Sequence, residues 1–113
     1  MWMTVGDRRF SVTLANNPTA QALSALLPIT LQMTELNGNE KYATLPKALP
    51  TRPSAPGTIP AGDVMLYGAD TLVVFYATFE SSYSYTRIGR VDDVDALATS
   101  LGRGGVRVQF SSR

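Results

Sequence analysis

The segment of residues 62–91 constrains the fold of this chain more than any other. It contains two strand-like runs, residues 63–67 and 71–76, which a short turn joins into a predicted hairpin. The second run is largely apolar, so we expect both of its faces to be covered. Five of the nine Phe and Tyr residues of the chain lie between Phe75 and Tyr85. This density of rings predicts a core or a pocket here, but it identifies no reaction.

Shorter alternating patterns predict the remaining strands. They lie at residues 4–5, 10–14, 29–33, 84–91 and 106–110. One helix is predicted from Asn17, which is suited to cap free backbone N–H groups, as far as Pro28, which ends it. A second helix is predicted over residues 92–101, with three aspartates at its start. Seven or eight short strands with hairpin connections favour a mainly β barrel or sandwich.

The composition excludes several classes of function. We expect 113 residues to form one domain, residues 1–113. Ten Lys and Arg nearly balance nine Asp and Glu, so we expect no nucleic-acid partner and no membrane partner. The chain has no His and no Cys, which removes Ser–His–Asp catalysis and the usual zinc ligands, and we expect neither metal nor cofactor. We see no signal peptide and no apolar run near the ~20 residues of a membrane span, so we expect a cytoplasmic protein.

Five of the seven prolines fall within residues 46–60, which predicts a long irregular loop. Loops of this length are uncommon in small domains and often have a function. A proline-rich segment loses little entropy when it becomes ordered, which suits two roles. The loop can be a rigid lid over a pocket, or a plug that fills a groove.

Several short motifs together resemble those of the cyclophilin fold. They are Ala61-Gly62-Asp63 after the proline-rich loop, and Ile88-Gly89-Arg90-Val91 leading into the last helix. The chain is more closely similar to a family of small bacterial cyclophilin-like proteins of unassigned function, through residues 37–42, 62–68 and 82–89. The resemblance covers nearly the whole chain. It implies a closed cyclophilin-like β-barrel of about eight strands with two short helices, and a pocket without a known ligand.

The chain departs from the prolyl isomerases among the cyclophilins at their catalytic segment. Those enzymes use an arginine in a Phe-His-Arg-like segment before the glycine–aspartate pair, whereas the matching loop here offers only Arg52, without a neighbouring His or Phe. Their pocket Trp and His are also absent, since the one Trp is Trp2. The resemblance therefore implies the fold, and no catalytic residue is carried over.

Arg87 is the first candidate for a binding residue. It follows Tyr83 and Tyr85 at a spacing of two, so a regular strand places all three on one face. A guanidinium between tyrosine rings is well suited to hold a carboxylate or phosphate. The alternative is a structural arginine that pairs with an internal acid or lies over a ring.

Glu40 is the second candidate, and Tyr42, two residues further on, is predicted to bind the same ligand. Glu40 follows the tight turn at Asn37-Gly38 and can meet Arg87 at the floor of a pocket, or act as a base whose pKa is raised by burial. The alternative is an exposed loop acid or a simple ion pair.

Aromatic side chains form the third group of candidates. Phe75, Phe79, Tyr83 and Tyr85 are the predicted walls of the pocket, although rings on strands are more often plain core. The serines at 81, 82 and 84 lack any His to activate them, so they do not indicate a nucleophile.

These residues predict a binding module for a small acidic metabolite or a short peptide, held in a pocket with aromatic walls and an arginine. The alternative is a prolyl isomerase in which Arg87 weakens the amide resonance beside an apolar slot, which rests on fold analogy alone. A third possibility is an interaction role, as a homodimer or with a flavodoxin-like partner.

Overall fold

The computed structural model describes residues 1–113 as ten strands and two helices. The strands are β1 (Trp2–Val5), β2 (Arg8–Leu14), β3 (Ile29–Leu36), β4 (Glu40–Thr44), β5 (Gly57–Ile59), β6 (Asp63–Tyr67), β7 (Thr71–Phe75), β8 (Phe79–Ser81), β9 (Thr86–Val91) and β10 (Val106–Ser111). The helices are α1 (Pro18–Ser24) and α2 (Leu97–Leu101).

Eight strands close into an antiparallel barrel in the order β1-β10-β3-β4-β7-β6-β9-β2. The other two, β5 and β8, pair only with each other. The predicted mainly β barrel with two short helices is therefore confirmed. Closure leaves the barrel without an unpaired edge, which removes the usual template for aggregation.

The hairpin of β6 and β7 explains why both strands are apolar. Val64 pairs with Val74 and joins the main core inside the barrel, whereas Met65 pairs with Val73 and joins a second cluster. Because successive side chains point to opposite faces, the second cluster lies on the outer face of the barrel wall. The prediction that both faces are covered is confirmed.

The outer cluster is covered by the small β5–β8 sheet. Its buried members are Ile59, Met65, Val73, Phe75 and Tyr85, with Tyr42 and Phe79 packed against them. Ile59 comes from β5 and Phe79 from β8, so the small sheet forms a second layer over the barrel wall. Burial of these large side chains stabilises each of them by about 1.5–3 kcal/mol relative to exposure.

The proline-rich segment is held against the barrel at several points. The Leu49 N–H donates a hydrogen bond to the Ala69 carbonyl at 2.8 Å. Further along, Ser54 and Tyr85 form an antiparallel β-bridge through their backbones. Leu49 is also part of the main core. These contacts attach the segment to the barrel, although most of its residues are exposed.

Three predicted boundaries were wrong near the strands and α1. β3 runs to Leu36 rather than ending at residue 33, and β9 begins at Thr86 rather than at residue 84. α1 ends at Ser24, short of Pro28, although the Asn17 cap is present and its side chain accepts a hydrogen bond from the Ala20 N–H at 2.8 Å.

The start of α2 was also wrong. The helix begins at Leu97, preceded by Ala96 with a left-handed φ of 64°. The Asp92 side chain accepts a hydrogen bond from the Thr13 hydroxyl, and its backbone N–H donates to the Ser11 carbonyl at 2.9 Å. These long-range bonds to β2 hold Asp92 in an extended connection, so it does not cap the helix.

Lys41 on β4 is fully buried, and three acceptors hold its ammonium group. Its Nζ donates to Glu35 Oε1 at 2.9 Å, to the Gly102 carbonyl at 2.8 Å and to the Gly104 carbonyl at 2.6 Å. The Tyr76 hydroxyl donates to the same Glu35 oxygen at 2.7 Å. This network fixes the connection between α2 and β10 to the barrel.

Neither helix is long and apolar enough to cross a lipid bilayer.

Candidate functional site

A cavity of about 370 Å³ lies beside the outer cluster on the barrel wall. It is bounded by the turn after β3, the outer face of β4, the turn end of the β6–β7 hairpin and the segment from β8 to Tyr85. Its lining consists of Leu36, Asn37, Glu40, Tyr42, Tyr67, Thr71, Val73, Phe79, Tyr83 and Tyr85. The size falls within the roughly 300–1,000 Å³ of small-molecule sites.

Five of the ten residues that line the cavity are aromatic. The Tyr67 ring lies 6.0 Å from Tyr83 at an interplanar angle of 80°, and 5.8 Å from Tyr85 at 56°. Behind them Phe75 contacts Tyr85 edge to face at 5.6 Å and stacks on Phe79 at 6.5 Å. Such pairs stabilise each other by about 0.5–1.5 kcal/mol beyond area burial, so the walls are held by their own contacts.

Glu40 places a carboxyl group at the buried side of the cavity. It pairs with Phe75 across β4 and β7, and the residue is only 6% exposed. None of the three salt bridges of the protein involves it. Burial raises the pKa of Glu40, and repulsion from the Glu35 carboxylate adds to the rise. The charged form of Glu40 therefore lacks compensation from the protein.

Five of the predicted site residues lie together on this cavity. They are Glu40, Tyr42, Phe79, Tyr83 and Tyr85. Phe75 does not line it but supports the rings from behind. Burial raises the pKa of the Tyr85 hydroxyl, while the hydrogen bond with the Ser81 hydroxyl, 3.5 Å away, acts to lower it.

Arg87 lies outside the cavity, and the expectation that it shares a hollow with the tyrosine rings is wrong. It pairs with Met65, and its half-exposed guanidinium lies 3.6 Å from the buried Asp63 carboxylate. Arg90 approaches the same carboxylate at 3.8 Å. Alternation along the strand does put Tyr85 and Arg87 on one face, but two residues of rise separate them by about 6–7 Å. The Arg87 guanidinium is directed towards Asp63, and away from the tyrosine rings, by this ion pair.

Arg87 and Glu40 do not meet at the floor of a pocket, as was predicted, because Arg87 lies beside Asp63 outside the cavity. Burial raises the pKa of Asp63, while the charges of Arg87 and Arg90 act to lower it. Arg87 is thus the structural arginine paired with an internal acid, the alternative stated above for this residue.

Sequence reasoning missed half of the cavity lining. Leu36, Asn37, Tyr67, Thr71 and Val73 were not predicted as site residues. A signal for three of them was present, because the short turn of the β6–β7 hairpin sets Tyr67 opposite Thr71, on the same face as Val73. The approach of the β3–β4 turn to that face is a tertiary contact without a local signal.

The proline-rich segment contributes no residue to the lining. The segment is therefore not a lid over this cavity. No group of three or more acidic side chains is arranged to hold a metal ion.

The fold defines the class of the protein as a closed, eight-stranded antiparallel β-barrel with two short helices. Residues 3–111 match the model of the cyclophilin-like family, and the chain belongs to that family. The resemblance noted in the sequence is thus confirmed. No curated protein and no solved structure matches the chain.

Proposed function

We propose that this protein is a binding module that holds a small molecule in the cavity on the outer wall of the barrel. One observation carries the proposal. Of the four large apolar side chains that are exposed, three line this single cavity: Leu36, Tyr67 and Tyr83. Exposed apolar surface concentrated in one concave place is typical of a binding site.

The polar groups of the cavity suit orientation of a ligand. Asn37 and Thr71 supply an amide and a hydroxyl at the rim, and the tyrosines supply hydroxyls beside apolar rings. A mostly apolar cavity with a few placed polar groups is the usual composition of small-molecule sites.

The charge of the lining argues against the acidic metabolite expected from the sequence. That expectation depended on Arg87, which lies outside the cavity beside Asp63. Glu40 is the one charged residue of the lining, and it would repel an anion.

We do not propose prolyl isomerase activity. That alternative required Arg87 as a donor beside an apolar slot, and no arginine or lysine lines the cavity. A homodimer and a flavodoxin-like partner remain predictions from the sequence.

A cavity-blocking variant tests the proposal. Thr71→Phe fills space at the lining without removing any ring or the carboxyl group, and Thr30→Phe adds the same ring to an exposed position on β3 as a control. A thermal-shift screen of cationic, neutral and anionic small molecules is run on the wild type and both variants. We expect at least one compound to raise the Tm of the wild type and of Thr30→Phe but not of Thr71→Phe. Stabilisation by no compound, or equal stabilisation of Thr71→Phe, contradicts the proposal.

A further inference from the structure

We propose that the ligand of this cavity is a small organic cation with an alkylated ammonium group, held between Glu40 and the rings of Tyr67, Tyr83 and Tyr85. The inference rests on the proposed binding function and names the class of ligand. It follows from three features of the cavity: its charge, its aromatic rings and its largely apolar lining.

The charge of Glu40 has no partner within the protein. The nearest lysine in sequence, Lys41, faces the other side of β4, where Glu35 and two backbone carbonyls occupy its three N–H donors. Arg87 is held at Asp63. A buried carboxylate without a cation is costly, so a ligand that brings a positive charge next to Glu40 gains what the protein itself does not supply.

Three tyrosine rings with differently inclined planes line the cavity. The plane of Tyr67 is inclined by 80° to Tyr83 and by 56° to Tyr85, and all three rings line the cavity. The negative face of an aromatic ring attracts a cation, and quaternary ammonium groups are bound in this way by cages of rings. Tyr42 and Phe79 add further ring surface to the lining.

The largely apolar lining favours an alkylated group over a bare ammonium. A bare ammonium is compact and strongly hydrated, so it loses more hydration when it enters a cavity in which seven of the ten lining residues are hydrophobic. An alkylated ammonium needs few or no hydrogen bonds, and its methyl groups bury against the rings.

The test compares a cation with its uncharged isostere. Choline and tetramethylammonium are titrated against the protein at low ionic strength, together with 3,3-dimethylbutan-1-ol, in which carbon replaces the nitrogen of choline. Binding is followed by calorimetry and by the NMR shifts of the tyrosine ring protons. We expect the two cations to bind at least about tenfold more tightly than the neutral alcohol, and the ring signals of Tyr67 and Tyr85 to shift.

Two variants and a matched control identify the groups responsible. Glu40→Gln removes the charge with little change of shape and should abolish the preference for cations. Tyr67→Leu keeps apolar surface but removes a ring face, and should weaken choline binding by about two- to fivefold. Glu80→Gln removes an exposed acid of β8 that does not line the cavity, and should leave binding unchanged.

The outcomes separate this inference from the proposed function. Equal binding of choline and the neutral alcohol, or a preference for cations that survives in Glu40→Gln, overturns the inference. If only neutral or acidic compounds from the wider screen bind in the cavity, the inference also fails while the binding function stands. If no small molecule of any charge binds, both fail.

Discussion

Glu40 lies directly opposite Phe75 in the pairing of β4 with β7, so its carboxyl group is set against the ring cluster on the outer wall of the barrel. The next residue on β4, Lys41, faces the opposite side and is bound to Glu35. Adjacent residues of opposite charge thus point to opposite faces of one strand. One charge is compensated by the fold, and the other is left for the cavity.

Removing the charge of Glu40 should stabilise the protein without a ligand. Because burial raises the pKa of Glu40 in the folded state, folding favours its protonated form. The buried Glu40 therefore lowers the free energy of unfolding increasingly as the pH rises from the unfolded pKa of about 4.5 through the higher pKa of the folded state. We expect Glu40→Gln to raise the Tm at pH 7 and to have little effect below pH 4. Thermal unfolding across this range measures the difference, with Glu80→Gln as control. A lower Tm for Glu40→Gln at pH 7 would mean that the carboxylate has an internal partner.

Replacing Lys41 should destabilise the protein strongly. Lys41→Met keeps most of the buried stem but removes three charge-assisted hydrogen bonds, including those that fix Gly102 and Gly104. We expect a loss of about 3 kcal/mol in the free energy of unfolding, measured with urea.

The same change at exposed Lys47, in the proline-rich segment, serves as the control and should alter stability by less than about 0.5 kcal/mol. Equal effects at the two positions would show that the Lys41 network contributes nothing to stability.

The tyrosine that donates to Glu35 should titrate late. Burial raises the pKa of Tyr76 to about 12, with added contributions from its hydrogen bond to Glu35 and from the charges of Glu35 and Glu40. The stability linked to its neutral form is present below pH 10 and is lost as the pH rises through 10 to 12. Spectrophotometric titration should show a tyrosine ionising near pH 12 that is absent in Tyr76→Phe and present in Tyr42→Phe. Loss of that late step in Tyr42→Phe instead would contradict the assignment.

Arg87 should matter little for binding. Its side chain is 52% exposed, and Arg90 stays beside the buried Asp63 carboxylate when Arg87 is replaced, so the loss of this ion pair costs only about 1 kcal/mol. We expect Arg87→Met to lower the free energy of unfolding by no more than about 1 kcal/mol and to leave choline affinity within about twofold of the wild type. Calorimetry measures the affinity. A large loss of affinity would place Arg87 at the ligand after all.

The sequence predicted those features that local patterns determine. The β6–β7 hairpin follows from alternation around a glycine turn, and Tyr85 and Glu40 were named because rings and acids at such positions suggest a site. The sequence did not predict Arg87 correctly, because strand periodicity gives the face of a side chain and not its neighbours. The position of Arg87 depends on Asp63 of the adjacent strand, just as that of Asp92 depends on β2. In both cases, contacts between segments that are far apart in sequence determine where the side chain lies.

The ionisation of Glu40 tests the central claim most directly. The groups around it are Glu35 on β3, Tyr42 on its own strand, Tyr67 on β6, Tyr76 after β7, and Tyr85 before β9. The pKa of Glu40 is measured by NMR titration of its side-chain carboxyl carbon, in the free protein and at saturating tetramethylammonium. We predict a pKa above the usual value of 4.5 in the free protein and a clear fall when the cation binds, because the bound charge stabilises the carboxylate. A pKa that does not change when the cavity is occupied would contradict the account.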